Sequence, residues 1–113
     1  MDVKTFTQEL LDSLSDTGLF TRVTLQVETP VSSGYAYTGN EELFLRFYFN
    51  EMTGTVAFAL IEAQQRIWGI DYDNRRGWHL HPETDSVGHI KIEPLSVSEI
   101  VAQLQNVLFM RTG

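Results

Sequence analysis

What most constrains this chain is how little sequence separates its apolar runs. Apart from residues 29–42, the runs between Arg22 and Glu93 follow one another through links of only a few residues. A parallel pair of strands needs a crossover of a dozen residues or more, whereas antiparallel neighbours need only a tight turn. The runs themselves alternate. Arg22–Glu28 reads as a half-buried strand, and Leu43–Phe49 places Leu43, Leu45, Phe47 and Phe49 on one face. Val56–Ile61 is apolar enough for a central strand, and Gln65–Tyr72 follows as its hairpin partner. Asp73-Asn74-Arg75-Arg76-Gly77 has the composition of a hairpin turn. Gly77–His81 and Gly88–Glu93 complete the set, with residues 82–87 as a loop. Pro30 ends the first strand, and Ser32-Ser33-Gly34 reads as loop.

Helical periodicity brackets these strands. Val3, Phe6, Leu10 and Leu14 recur at helical spacing behind Asp2 as a cap, and Gly18 stops the run. Ser96-Val97-Ser98-Glu99 is a capping box. It opens a second helix with a stripe of Ile100, Val101, Leu104, Val107 and Leu108. The expected fold is α+β: an antiparallel meander of about six strands with an N-terminal and a C-terminal helix packed on one face. A length of 113 residues without repeats or low-complexity segments predicts a single domain over residues 1–113.

Composition removes several chemistries. There is no cysteine, which rules out disulfides, thiolate metal ligands and cysteine nucleophiles. No apolar stretch approaches the roughly 20 residues that span a bilayer, and Met1-Asp2-Val3-Lys4 does not begin a signal peptide. A cytoplasmic protein without a membrane partner is expected. The net charge of −7 opposes a general nucleic-acid binder. It is unevenly spread, however. Residues 64–91 sum to zero, so this segment turns positive if its histidines protonate.

All three histidines of the chain lie in that segment, within eleven residues. In Trp78-His79-Leu80-His81 and His89-Ile90-Lys91-Ile92, period two puts the apolar residues on one face. His79, His81, His89 and Lys91 fall on the other. Three readings stay open. Imidazoles in a His-x-His pair, with a third from a neighbouring strand, can hold a divalent metal such as zinc, with Asp71 or Asp73 adding an oxygen. Histidines beside Lys91, Arg75 or Arg76 also supply the acid, base and cation that RNA cleavage without a metal cofactor requires. Tyr72 and Trp78 are then available to stack on bases. The third reading is a solvated polar face whose histidines bond to Asp71, Asp73 or the turn backbone.

The run Trp68-Gly69-Ile70-Asp71-Tyr72-Asp73-Asn74, then His79-Leu80-His81-Pro82, then Gly88-His89-Ile90, resembles the TumE-like family of prokaryotic toxin–antitoxin systems. The likeness covers roughly residues 66–108 and includes the serine-led final helix. It implies an intracellular toxin acting on RNA as a ribonuclease, neutralised by a small DNA-binding antitoxin protein. The family pattern carries over to Asp73, Asn74, His79, His81, Pro82 and His89. This chain departs from it in having His-x-His where the family has adjacent histidines, and a single histidine after the loop. With the resemblance, His79 and His81 are expected as the acid–base pair, and Asp73 orients a histidine. His89 and Lys91 bind phosphate, Arg75 and Arg76 steer RNA, and Tyr72 contributes to substrate binding. No cofactor is needed in that scheme. The alternative is a binding or assembly module that docks a protein partner on the sheet, or a second copy of the chain as a homodimer.

Overall fold

The computed structural model describes residues 1–82 and 89–112. Helix α1 (Val3–Thr17) leads into seven strands: β1 (Arg22–Glu28), β2 (Val31–Tyr37), β3 (Leu43–Asn50), β4 (Thr55–Glu62), β5 (Gln65–Asp73), β6 (Gly77–His81) and β7 (Ile90–Lys91). Helix α2 (Val97–Thr112) closes the chain. The strands form one antiparallel sheet in sequential order, the meander that the short links predict.

Both helices begin on side-chain caps. Asp2 Oδ1 accepts from the Thr5 backbone N–H at 2.7 Å, and Gly18 ends α1 with a left-handed φ of 67°. At α2 the box is reciprocal. Ser96 N–H donates to Glu99 Oε1 at 2.8 Å, and Glu99 N–H donates to Ser96 Oγ at 3.2 Å. The buried stripe of α1 (Val3, Phe6, Leu10, Leu14) meets that of α2 (Ile100, Val101, Leu104, Leu108) over one sheet face. Leu45, Phe47, Phe49, Phe58, Leu60, Trp68 and Ile70 supply that face. Phe6 stacks on Phe49 with centroids 4.6 Å apart. Each such ring contributes about 1.5–3 kcal/mol through burial alone.

The seventh strand is β2, where the composition of Ser32-Ser33-Gly34 predicts a loop. Those residues pair on both sides, with Ser33 opposite Gln26 and Tyr48. Two features put loop-type residues inside a strand. Ser32 is buried because its hydroxyl lies 2.9 Å from that of Thr7 on α1, so a turn-forming residue serves as a polar tie to the helix. Gly34 is required by close approach. A Cβ there would sit 2.0 Å from the Thr24 carbonyl oxygen, and glycine inside a strand marks such a contact. At the far end, β7 is shorter than expected. The anticipated loop and Gly88 fall largely on residues 83–88, outside the described residues.

A bulge between Leu60 and Ile61 shapes the other face. Leu60 pairs with Trp68, but Ile61 pairs with Arg66, so Ile67 is the extra residue. Strict alternation would send Arg66 into the core beside Trp68 and Ile70. The bulge turns it onto the face without helices, where its Cδ would lie 3.4 Å from a Cβ at Gly69.

Candidate metal centre

Three pairings assemble the site. Asp71 on β5 faces His79 on β6, Gly69 faces His81, and His79 faces Lys91 on β7. Strand alternation then places Asp71, His79, His81 and Lys91 on the face opposite the helices. His89, just before β7, joins them. Its ring centroid lies 5.4 Å from that of His79 and 4.6 Å from that of His81, and the first two rings are 5.0 Å apart. One ring nitrogen from each histidine lies within 4.8 Å of the others. Gly69 makes room for this packing, since a Cβ there would press on the Phe58 carbonyl at 2.9 Å and reach 3.6 Å from the His81 ring. His79 and His81 are only 2% and 4% exposed, while His89 is exposed. His79 and His81 are therefore enclosed, while His89 meets solvent.

The hydrogen-bond partners decide the tautomers. His79 Nδ1 lies 3.0 Å from the Gly77 carbonyl, which can only accept, so Nδ1 carries the proton. His81 Nε2 lies 2.9 Å from Asp71 Oδ2, and His81 Nδ1 lies 3.1 Å from Arg66 Nη2. The carboxylate accepts and the guanidinium donates, so neutral His81 is protonated on Nε2 with its Nδ1 lone pair on Arg66. Burial holds the His81 pKa below its ordinary value, and the Arg66 cation adds to the effect. Asp71 opposes both.

His79 is left with a buried lone pair. Its Nε2 has no hydrogen-bond partner among the described residues and lies 3.5 Å from Asp71 Oδ2. An N–H···O bond spans about 2.7–3.2 Å, and neutral His79 has no proton on that atom to offer. A lone pair beside a carboxylate oxygen in a buried setting calls for a positive centre between them, either a proton or a metal ion.

The residues singled out in the sequence are thus only partly brought together. His79, His81 and His89 converge, and Lys91 shares their face but is exposed. Asp73 does not orient a histidine. Its carboxylate accepts from the Arg75 and Arg76 backbone N–H groups at 2.9 and 2.8 Å and from Arg76 Nε at 3.2 Å. Those bonds, the one from Arg76 N–H foremost, hold its pKa below the ordinary carboxylate value. The orienting acid is Asp71, one pleat nearer the middle of the strand. Arg75 and Arg76 project from the β5–β6 turn, with Arg76 paired to Asp73. Tyr72 lies on the helix side, its ring 5.3 Å from that of Trp78 and its hydroxyl donating to Asn74 Oδ1. It is not on the face that carries the histidines. Arg66, which touches His81, was masked in the sequence by the bulge.

No protein-family model, no curated protein and no solved structure matches this chain.

Proposed function

We propose that this chain is a metal-binding domain that holds one zinc-type divalent ion through His79, His81 and His89, with Asp71 as an oxygen ligand. The observation that carries the reading is the buried, unpartnered Nε2 of His79, aimed at a carboxylate and two further imidazoles. The spacing supports it. Metal–nitrogen bonds of about 2.0–2.1 Å in a tetrahedron put ligand atoms roughly 3.3 Å apart. Asp71 Oδ2 stands 2.9 Å from His81 Nε2 and 3.5 Å from His79 Nε2. An ion there takes the His81 Nε2 lone pair once that nitrogen's proton has moved to Nδ1, which requires Arg66 to swing away from the ring. The exposed His89 has the freedom to close the remaining gap. Gly77 O fixes His79 in the tautomer that presents Nε2, the role that backbone carbonyls commonly play behind metal-bound histidines. Cysteine-free ligation by nitrogen and oxygen suits zinc and similar ions rather than soft monovalent copper. Burial of two ligands suits a closed site that stabilises the sheet end.

The test is metal content. Untagged protein dialysed against zinc, then against buffer, should retain one ion per chain by elemental analysis, and His79→Leu should retain none. Retention of zinc by the variant, or none by the parent, would overturn the assignment.

A second reading rests on a different observation, the Asp71–His81–Arg66 chain of hydrogen bonds. A histidine held by a carboxylate beside a guanidinium is the arrangement that general acid–base cleavage of a phosphodiester uses. Together with the TumE-like likeness, it supports a toxin ribonuclease whose partner is a small DNA-binding antitoxin. In that case His81→Ala abolishes growth arrest and RNA cleavage on expression. The low exposure of His79 and His81 favours the metal reading, because an acid–base pair must touch the phosphate.

A further inference from the structure

The face that carries the histidines also carries a groove, and its construction goes beyond the metal reading. Two neighbouring rungs cross the sheet there. One runs Thr24, Tyr35, Arg46, Ala59, Gly69 and His81. The next runs Gln26, Ser33, Tyr48, Ala57, Asp71 and His79. In both, small residues occupy the two central strands or the first of them, and large polar or aromatic ones stand to the sides. The result is a depression of about 590 Å³, lined by Tyr35, Tyr48, Arg46, Ala57, Ala59 and Arg66 among others, within the range usual for small-molecule sites.

Its charge is unlike that of the rest of the molecule. The chain carries seven more acidic than basic residues, yet two guanidiniums line this one groove. Among the described residues neither Arg46 nor Arg66 forms an ion pair with a carboxylate. Asp71 also lines the groove, but it accepts from His81 at the histidine end. Arg66 reaches the groove only because the Leu60/Ile61 bulge turns it out of the core. Guanidinium forks match the oxygens of carboxylates and phosphates, and the Tyr35 and Tyr48 rings offer planar walls beside an alanine floor.

We infer that this groove binds a small planar organic anion. Its carboxylate or phosphate is taken by Arg46 and Arg66, and its flat body lies over Ala57 and Ala59 against the Tyr48 ring.

The experiment is an NMR titration of the untagged protein in chelator, so that the outcome does not depend on the metal centre. The probes are benzoate, phenyl phosphate and inorganic phosphate. Benzoate or phenyl phosphate should give saturable shifts of the Ala57 and Ala59 methyl signals, and which of the two binds tighter identifies the anionic group. Arg46→Gln and Arg66→Gln should each weaken binding by about tenfold, the loss of one charge-assisted contact. Ala59→Leu should abolish it by filling the floor. The two arginine variants change exposed positions and keep the test valid if Ala59→Leu does not fold. The inference is overturned if neither aromatic anion binds saturably, if the arginine variants bind as tightly as the parent, or if inorganic phosphate alone binds as tightly as phenyl phosphate.

Discussion

The two faces of this sheet are built from the same seven strands by opposite rules. The helix-covered face is large and apolar, with Phe47, Phe58, Leu60 and Trp68 on adjoining strands, and α1 and α2 close over it. The open face carries alanine and glycine at its centre, Arg46 and the tyrosines on one side, and Arg66 and the imidazoles on the other. On the covered face, burial is its own reward, because apolar area removed from water stabilises the fold. On the open face burial is partly unfavourable, since it encloses a histidine nitrogen without a partner. The difference teaches that apolar burial on the first face makes the fold, while the second encloses polar groups that apolar burial alone does not explain.

Substitutions should separate the two faces, and the largest effect is expected in the core. Phe58→Ala removes a fully buried ring that packs against Phe6, and should destabilise by about 3–5 kcal/mol in chemical denaturation. A loss below about 1 kcal/mol would mean that the core is not cooperative. On the open face the sign should depend on metal. Zinc at a hundredfold excess over its dissociation constant should stabilise the parent by about 2.7 kcal/mol. His79→Leu should remove that increment while leaving the metal-free protein no less stable, because the buried orphan nitrogen goes with it. If His79→Leu weakens the metal-free protein as much as a core truncation does, the contrast between the faces fails.

Gly34→Ala tests the edge where the faces meet. The added methyl collides with the Thr24 carbonyl, so β1 and β2 must separate, at a cost of about 1–3 kcal/mol by thermal unfolding. Ser96→Ala breaks the box at the start of α2 and should cost about 1 kcal/mol, read the same way.

The last expectation is a slope rather than a step. The folded-state pKa of His81 is depressed, so the unfolded chain takes up a proton more readily than the folded one. Its contribution is complete above the ordinary value of 6.5 and is lost as pH falls from there toward the folded pKa. Asp2, Asp73 and Glu99, each lowered mainly by a backbone hydrogen bond, lose their contributions only further down, as pH falls through the carboxylate range. Denaturation of the metal-free protein against pH should therefore show two limbs, and His81→Gln should flatten only the upper one. An unchanged upper limb in that variant would assign it elsewhere.

Much of this was legible from side-chain periodicity. Leu43 to Phe49 could only be a strand with one buried face, and the helical spacing of Val3, Phe6, Leu10 and Leu14 fixed α1. The common face of His79 and His81 followed from the same period of two. What was not legible depended on register and on backbone contacts across strands. Asp71 and Asp73 share a face, and only the pairing of Asp71 with His79 and of Asp73 with Gly77 decides which acid reaches an imidazole. That pairing is set by the geometry of the turn at 73–77, and composition does not specify it. Gly34 looked like loop because its reason for being glycine is the Thr24 carbonyl of another strand. Arg66 drew no attention in the sequence, because strict alternation places it on the core side and a bulge has no signature there.

The central claim, that the positive centre between His79 and Asp71 is a metal ion, is tested most directly by imidazole ¹⁵N NMR. Long-range spectra of untagged protein would be recorded without zinc and with increasing zinc. The prediction is a neutral His79 with its proton on Nδ1, whose Nε2 signal moves together with those of His81 and His89 and stops moving at one equivalent of zinc. A His79 protonated on both nitrogens, with all three imidazoles unmoved by zinc, would contradict the account and make a proton the buried charge.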